Sequence, residues 1–342
     1  MLETNKIYQE DCKIGIEKID KEIGLTLTSP PYFGYSDGYT KDKKDYIQDE
    51  HDFKKYIIHL AEVFEKIFNK TREGGFCVLI YGDYGCKMKP YNELCYISKI
   101  CDMMQKIGWK LIAQRIWHKK INPFALNIVN YHSSISGRYR TTKGFDYILS
   151  FYKGELSINN KKIFIKGKKI KDYFNNSDLT LREFKDWVPY SVWKIDEKHP
   201  YDKYLNAKRT HNHTHRRIHP FQLPLVLMNR LIKIYSKIDD LVIDPFAGSG
   251  STLLACEYLK REYIGFELEK KFINYFDDII KEIFNYKEEL LSSLDNHSHP
   301  ETNPKNGVSN SLPSGDTLQG NPIQVDYKHY SKEEEISSEE GK

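Results

Sequence analysis

The segment that most constrains the fold covers residues 240–269 and reads DLVIDPFAGSGSTLLACEYLKREYIGFELE. Its first apolar run predicts a strand over 240–244, and Gly248 and Gly250 then allow a tight turn that brings the backbone close to a ligand. A helix follows, and a second β-rich run predicts another strand over 262–267. A strand, turn, helix and strand in this order are typical of an α/β fold with a mainly parallel sheet.

The same alternation of strands and helices recurs along the chain. Further β-rich runs lie at 24–28, 76–81, 111–117 and 145–151, and further helical runs cover 91–107, 222–235 and a long stretch that ends near Leu291. Between the first two strands, apolar side chains repeat at helical spacing from Phe53 to Phe68, and REGG at 72–75 predicts a glycine stop for that helix. We therefore predict a doubly wound α/β fold.

The glycine turn predicts a site for an adenosine-bearing cofactor. The helix after Gly250 points free N–H groups at a ligand, and the carboxylate of Glu267, at the end of the next strand, can accept hydrogen bonds from ribose hydroxyls. The third glycine of the dinucleotide motif is replaced by Leu253, which removes the usual close packing of helix on strand and disfavours NAD and FAD. A nucleoside-triphosphate loop, G-x-x-x-x-G-K-[ST], is absent from the sequence.

A second feature follows the strand at 24–28. Ser29, Pro30, Pro31 and Tyr32 form a stiff corner, because two prolines cannot continue a β-ladder and each forces the residue before it toward extended geometry. The corner offers a hydroxyl, proline carbonyls and an aromatic ring at the carboxyl end of a strand. Taken alone, it is either a strand terminator or a small preorganised site.

Charge and composition narrow the class of protein. Residues 153–217 contain sixteen Lys or Arg against eight acidic residues, which indicates phosphate contact or a solvated lysine-rich insertion. Residues 292–342 are acidic and poor in apolar side chains, which is typical of a disordered tail. The N-terminus has no secretory pattern, no apolar stretch is long enough for a membrane span, and the six cysteines form no Cys-x-x-Cys pair, so we expect a cytoplasmic protein.

Together, TSPPY and DPFAGSGST resemble the β group of S-adenosylmethionine-dependent DNA amino-methyltransferases, in which the catalytic motif precedes the cofactor motif as it does here. Further similar elements are YQEDC with Glu10 in place of a glycine, REGGFCVLIYGD, IWHKKINP, FDYILSFYK, and HPFQLP with Leu223 in place of a lysine. The resemblance covers nearly all of residues 7–280. It implies a class I methyltransferase-like fold with permuted motif order and an inserted basic target-recognition region.

The resemblance also implies roles for individual residues. Asp244, Phe246, Gly248 and Gly250 are expected to line the pocket for S-adenosylmethionine, Glu267 to hold its ribose, and Asp11, Cys12 and His219 to complete the pocket. Ser29, Pro30, Pro31 and Tyr32 are expected to face the target base, and Arg209, Arg216 and Arg217 are candidates for contacts with bases or phosphates. The contact that a lysine makes elsewhere in the family must be absent at Leu223 or supplied by another group.

Four parts follow from this comparison. They are a catalytic half at 1–152, a DNA target-recognition insert at 153–217, a cofactor-binding half at 218–291 and a disordered acidic tail at 292–342. The histidines of HNHTHRRIH have no Cys or acid among them and make a poor metal cage, so we expect no metal site. No pattern in the chain selects an oligomeric state.

The expected reaction is transfer of a methyl group to the N4 amine of cytosine in double-stranded DNA, with the target base flipped out of the helix. Serine before Pro-Pro-Tyr is typical of the N4-cytosine enzymes of this group, and aspartate is typical of the N6-adenine enzymes, which makes adenine the alternative. The sequence lacks a Pro-Cys pair, which disfavours the covalent route to C5 of cytosine. The expected setting is a restriction–modification system with a cognate endonuclease as a functional partner. Two other classes stay open: a DNA-binding protein without methyl transfer, and a methyltransferase acting on RNA or protein.

Overall fold

The predicted alternation of strands and helices builds a single eight-stranded sheet in the computed structural model, which describes residues 2–33, 53–82, 96–119, 145–155, 178–201 and 222–295. The strands are β1 (Lys6–Gln9), β2 (Ile23–Thr28), β3 (Thr71–Tyr81), β4 (Lys110–His118), β5 (Phe145–Tyr152), β6 (Val192–Lys194), β7 (Leu241–Asp244) and β8 (Glu262–Glu267). The helices are α1 (Cys12–Gly15), α2 (Phe53–Lys70), α3 (Tyr96–Ile107), α4 (Leu181–Trp187), α5 (Leu225–Tyr235), α6 (Ser251–Leu259) and α7 (Lys270–Asp295).

The order of strands across the sheet is β1-β8-β7-β2-β3-β5-β4-β6. Strand β5 pairs antiparallel with both of its neighbours, whereas the other neighbouring strands pair in parallel. The predicted doubly wound, mainly parallel α/β fold is therefore confirmed.

Two apolar clusters cover the two faces of the sheet. On one face, helices α1, α2 and α3 pack their buried sides against the strands, and α2 contributes Tyr56, Leu60, Val63, Phe64 and Ile67 at helical spacing. On the other face, α5, α6 and α7 cover the sheet with a second set of buried aliphatic and aromatic side chains. Because both faces are covered, the central strands are almost continuously apolar; β2 is buried at each of its six positions.

The chain reverses its winding direction between β7 and β2. These two strands are neighbours, but β7 connects through α6 to β8 on one side, whereas β2 connects through α2 to β3 on the other. Such a reversal opens a crevice outside the carboxyl ends of the two strands, which is where α/β folds bind ligands. The two sequence motifs follow these two strands, so the fold brings them to one crevice although more than 200 residues separate them.

One local prediction was wrong. REGG was expected to end the helix before it, but α2 ends at Lys70 and β3 starts at the next residue. The register between β2 and β3 shifts within this stretch, since Ile23 lies opposite Thr71 and Leu25 lies opposite Phe76. Gly74, at φ +79°, therefore lies in a bulge of β3. A β-bulge, like a helix end, is a place where glycine adopts a left-handed conformation.

Part of the predicted insert packs on the α/β unit. Strand β6 pairs with β4 at the edge of the sheet, and the Arg230 guanidinium carbon on α5 lies 5.1 Å from the ring centre of Trp187 and 5.9 Å from that of Trp193. The rest of the insert, including Arg209, Arg216 and Arg217, lies outside the described residues, so its role in DNA recognition stays a prediction.

The chain divides into two units, Met1–Leu291 and Ser292–Lys342. The first contains all eight strands. Of the second, only the end of α7 is described, and the predicted tail beyond it lies outside the described residues. In the described part of the chain, no helix combines the length and the apolar character needed to cross a bilayer.

Candidate active site

The carboxylate of Asp244 joins the two strands at the switch point. It ends β7 and is only 4% exposed. Its Oδ1 accepts hydrogen bonds from Thr28 Oγ1 at 2.6 Å and from the Phe246 amide at 3.1 Å, and its Oδ2 accepts one from Thr252 Oγ1 at 2.7 Å. Three elements, β2, β7 and α6, are thus held by one buried side chain.

Burial raises the pKa of Asp244 to about 6, although the hydroxyls of Thr28 and Thr252 and the amide of Phe246 all stabilise its charged form. No charged side chain is among the causes of this shift. The carboxylate therefore titrates in the range in which many enzymes work, and its protonation state affects the stability of the folded chain.

We expect this titration to appear in the stability of the protein. Because the pKa rises from 3.8 to about 6 on folding, the native state holds the proton more tightly, and the resulting stabilisation is complete below pH 3.8 and lost as the pH passes 6. Relative to an Asp244→Asn variant, which does not titrate here, the free energy of unfolding should fall by up to about 3 kcal/mol between pH 4 and 7. Urea unfolding across this range measures the difference, and two parallel pH profiles would contradict it.

The glycine turn adopts the backbone geometry that its sequence predicts. Gly248 and Gly250 have φ angles of +53° and +80°, both in the left-handed region. A Cβ atom at Gly250 would lie 2.3 Å from Cδ2 of Phe276 on α7, so the turn is also packed too closely for a side chain. Helix α6 starts directly after the turn, and the buried Oγ of Ser251, its first residue, has no hydrogen-bond partner in the described part of the chain.

The expected loss of close packing at Leu253 was wrong. A Cβ atom at Gly265 on β8 would lie 2.5 Å from Cδ1 of Leu253 and 3.2 Å from Cβ of Ala247. Helix and strand are therefore in close contact after all, with the glycine on the strand instead of the helix. The missing third glycine does not separate the two elements.

Glu267 is held in place by backbone amides. Its Oε2 accepts a hydrogen bond from Gly248 N at 2.9 Å, and its Oε1 accepts bonds from the amides of Leu268 and Glu269, each at 2.8 Å. Burial raises the pKa of this carboxyl above its usual value, and the three amides oppose the shift. A carboxylate has about four acceptor positions, so one position, on Oε2, is left for a further donor.

Asp11 and Cys12 lie beside Glu267, because Gln9 at the end of β1 pairs with Glu267 at the end of β8. The Asp11 carboxylate accepts a hydrogen bond from Lys13 N at 2.8 Å and so caps α1. Cys12 is 7% exposed, and burial raises the pKa of its thiol to about 12, so it is a neutral, packed side chain.

The last predicted pocket residue, His219, lies outside the described residues, as does the histidine-rich stretch before it. In the described ranges, no group of three or more His, Cys, Asp or Glu side chains could hold a metal ion.

The proline corner directly follows Thr28, the residue whose hydroxyl donates to the Asp244 carboxylate. Ser29 Oγ donates a hydrogen bond to Tyr32 Oη at 3.3 Å. The Tyr32 ring packs against the Tyr81 ring, with centres 4.7 Å apart and planes inclined at 52°. The corner therefore lies at the same crevice as the glycine turn, with both side chains partly accessible.

Four side chains that contact the two motifs were missed by the sequence analysis: Thr28 and Thr252, which bond to Asp244, Tyr56, whose Oη donates to the Pro31 carbonyl at 2.7 Å, and Tyr81, which packs on Tyr32. Thr28 is the first residue of TSPPY and Thr252 is the last of DPFAGSGST, so a hydroxyl at the edge of each motif was an available signal. The spacing of Tyr56 on α2 is that of an ordinary core residue, and Tyr81 ends an apolar strand, so nothing in the sequence distinguishes them.

Comparison with known proteins identifies the class. The sequence matches the DNA methylase family (N6_N4_Mtase) over residues 23–281, so the chain belongs to this family, and the resemblance drawn from the motifs is confirmed. It is 27% identical over 288 residues to the type II methyltransferase M.MjaI of Methanocaldococcus jannaschii, covering 78% of this chain and 88% of that protein.

Solved structures agree on the fold. The cytosine-N4-specific PvuII DNA methyltransferase has a TM-score of 0.58 at 19% identity, covering 80% of this chain and 85% of that one. TTHA0409, a putative DNA modification methylase of Thermus thermophilus that was crystallised with S-adenosyl-L-methionine, has a TM-score of 0.53 at 21% identity, covering 81% of this chain and 95% of that one. At these identities the likeness establishes the architecture alone.

Proposed function

We propose that this protein transfers a methyl group from S-adenosylmethionine to the N4 amine of cytosine in double-stranded DNA. One observation carries the proposal: the glycine turn and the Ser29 corner follow neighbouring strands, and the hydrogen bond of 2.6 Å from Thr28 to Asp244 ties them together. A cofactor held by the turn and a base held by the corner would therefore meet in one crevice.

The charges around the turn favour a cationic cofactor over a dinucleotide. The Gly248 amide, which would face a pyrophosphate, already donates to the Glu267 carboxylate, and the buried carboxylate of Asp244 accepts from the Phe246 amide at the start of the turn. Two carboxyl groups repel a phosphate and attract the positively charged sulfur and ammonium groups of S-adenosylmethionine. The bound cofactor would supply a methyl group on a sulfonium sulfur, and this sulfur leaves as a neutral thioether when an amine attacks the methyl carbon.

Further residues fit the parts of this cofactor. The free position on Glu267 Oε2 suits one ribose hydroxyl, and Leu268, 44% exposed, offers an apolar surface beside it for the adenine. We assign the cofactor carboxylate to two buried polar atoms without a partner in the described residues, Ser251 Oγ and Gln222 Nε2. Gln222 precedes Leu223, and its amide would supply the contact that the lysine makes elsewhere in the family.

The Ser29 corner binds and orients the target amine. Ser29 Oγ donates its own proton to Tyr32, so its lone pairs are left to accept one N–H of the amine, and the carbonyl of Pro30 accepts the other. These two bonds draw the nitrogen toward tetrahedral geometry and aim its lone pair at the methyl group. Such positioning of two bound reactants contributes about 7–11 kcal/mol at best. A serine hydroxyl is too weak a base to take a proton beforehand, so the proton leaves after transfer, once the nitrogen is cationic.

The target base must leave the double helix to reach this corner, at a cost of a few kcal/mol. Tyr32 offers a ring on which the flipped base can stack, which returns about 1–3 kcal/mol. The Tyr81 ring packs against the Tyr32 ring, which would restrict the movement of this stacking surface before the base arrives.

Serine at position 29 favours cytosine over adenine, because the adenine enzymes of the resembled group carry aspartate there. The basic segment 153–217 would bind the DNA, with Arg209, Arg216 and Arg217 as candidate contacts. We further propose a role in host protection within a restriction–modification system in the cytoplasm, which requires a functional relation to an endonuclease and no physical contact with it.

The test is mass spectrometry of nucleosides from DNA that carries no modification of its own, incubated with the purified protein and isotope-labelled S-adenosylmethionine. Label in N4-methylcytosine supports the proposal, and label in N6-methyladenine replaces cytosine with adenine at the same corner. Duplex RNA is incubated in parallel as the control substrate. Label in RNA alone, or in neither polymer, would overturn DNA methylation as the function.

A further inference from the structure

Two buried tyrosines contact the proline corner from the core of the protein. Tyr56 on α2 and Tyr81 at the end of β3 are 0% and 1% exposed. Tyr56 Oη lies 2.7 Å from the Pro31 carbonyl oxygen and 3.1 Å from Tyr81 Oη, and Tyr81 Oη lies 3.3 Å from the Phe33 amide nitrogen. The two hydroxyls therefore bridge two backbone groups of the same three-residue segment.

The direction of each hydrogen bond follows from the atoms involved. A carbonyl oxygen only accepts, so the single proton of the Tyr56 hydroxyl points to Pro31. The bond between the hydroxyls must then be donated by Tyr81, whose oxygen accepts the proton of the Phe33 amide. The chain runs from the Phe33 amide through Tyr81 and Tyr56 to the Pro31 carbonyl, and consecutive bonds of this kind strengthen one another.

We propose that Tyr56 and Tyr81 are positioning residues for methyl transfer, which hold the Pro31–Phe33 segment so that Tyr32 and Ser29 face the flipped base. The inference rests on the proposed function, because it assigns to the two tyrosines the orientation of the corner that binds the base. Tyr81 acts twice, since its hydroxyl links the Phe33 amide to Tyr56 and its ring centre lies 4.7 Å from that of Tyr32.

The surroundings favour positioning over proton transfer. Burial raises the pKa of Tyr56 well above its usual value, so its hydroxyl keeps its proton and is no base. Pro31 has no N–H of its own and Phe33 is partly buried, so the corner depends on partners from the core for its remaining polar backbone groups. Tyr56 lies on helix α2 and Tyr81 on strand β3, and helices and strands hold a site more precisely than loops do.

Two variants and a matched control separate positioning from general stability. Tyr81→Phe and Tyr56→Phe each remove one hydroxyl and keep the ring. The control, Tyr263→Phe, removes a hydroxyl from a tyrosine that is only 2% exposed and lies near the start of β8, at the end of the strand away from Glu267. The measurements are kcat and KM for DNA, the Kd for S-adenosylmethionine by calorimetry, the melting temperature, and the fluorescence of 2-aminopurine at the target position as a report of base flipping.

We expect Tyr81→Phe to lower kcat by about 10- to 100-fold, the loss that a small misplacement of reacting groups produces, and Tyr56→Phe to lower it less. The Kd for S-adenosylmethionine should change by less than about twofold in both, and the 2-aminopurine signal of the bound complex should decrease. Tyr263→Phe should leave all of these values unchanged.

Two results would overturn the inference. One is a kcat within about twofold of the wild type for Tyr81→Phe, and the other is an equal loss in all three variants that follows their melting temperatures. A wild-type protein that binds S-adenosylmethionine but methylates no DNA would instead contradict the proposed function, so the two failures are distinguishable.

Discussion

Gly250→Ala should weaken the binding of S-adenosylmethionine by about 100-fold, or about 2.8 kcal/mol. Gly250 sits at φ +80°, where an alanine is strained by about 1–2 kcal/mol, and its Cβ would lie 2.3 Å from Cδ2 of Phe276. The ring of Phe276 is 3% exposed and lies in the core, so the turn moves more easily than the ring. A displaced turn shifts Ser251 and the Gly248 amide that orients Glu267. Calorimetric titration with the cofactor measures the loss.

Gly154→Ala is the matched control for this prediction. Gly154 also has a left-handed φ, +113°, but the nearest atom to its Cβ is Glu73 Oε2 at 2.5 Å, the mobile end of a side chain. Gly154 follows the carboxyl end of β5, which lies at the end of the sheet opposite to the crevice. There Tyr152 of β5 pairs with Phe76 of β3 and Lys110 of β4. This variant should lose about 1–2 kcal/mol of stability and keep its affinity for the cofactor. Equal losses of affinity in the two variants would mean that Gly250 matters for folding alone.

The strands and turns of the crevice could be predicted because their signals are local. A short apolar run predicted β2 and β7 to within one residue of their bounds, and the glycines and prolines after them impose their geometry on the backbone wherever they occur. REGG shows the limit of such signals. A left-handed glycine suits a helix end and a bulge equally, and only the pairing of β3 with β2 selects the bulge.

The parts of the site that depend on contacts distant in the sequence could not be predicted. Nothing near Leu253 indicates that it packs against Gly265, where the absence of a side chain leaves room for it. Nothing near Glu267 indicates that three amides fill most of its acceptor positions. Strands β1 and β6 have four and three residues, too few to show a period of two. The resemblance to a family supplied the expected roles of the motifs, and the fold supplied the side chains that hold them.

The Thr28–Asp244 bond connects the two motifs within one crevice. Their strands are adjacent because the winding reverses between them, but adjacency alone leaves their loops free to move separately. The buried carboxylate fixes the last residue of β2 and the first turn of α6 to the end of β7. In the proposed reaction, the core would thereby set the distance between the bound methyl group and the bound amine, as near-attack positioning requires.

Ser29→Ala should reduce kcat for methyl transfer by about 10²- to 10³-fold, the usual cost of removing one hydrogen bond that strengthens as charge develops in the transition state. In the proposed reaction the Ser29 oxygen accepts an N–H of the target amine. This N–H becomes a stronger donor as the nitrogen turns cationic, so the lost bond is worth most in the transition state. The affinity for S-adenosylmethionine should stay the same, because the side chain bonds to Tyr32 and to no residue of the glycine turn. Single-turnover kinetics with labelled cofactor separate the two effects.

Two further variants make the prediction for Ser29 specific. Ser29→Asp keeps an acceptor oxygen at the corner and should retain more activity than Ser29→Ala, because the acceptor and not the hydroxyl proton serves the amine. Ser236→Ala is the matched control, since the Ser236 hydroxyl donates to the Ile232 carbonyl at the end of α5 and lies away from the crevice. It should lower stability and leave kcat unchanged. If Ser29→Ala keeps kcat within about threefold of the wild type, the serine does not bind the amine and does not account for the proposed preference for cytosine.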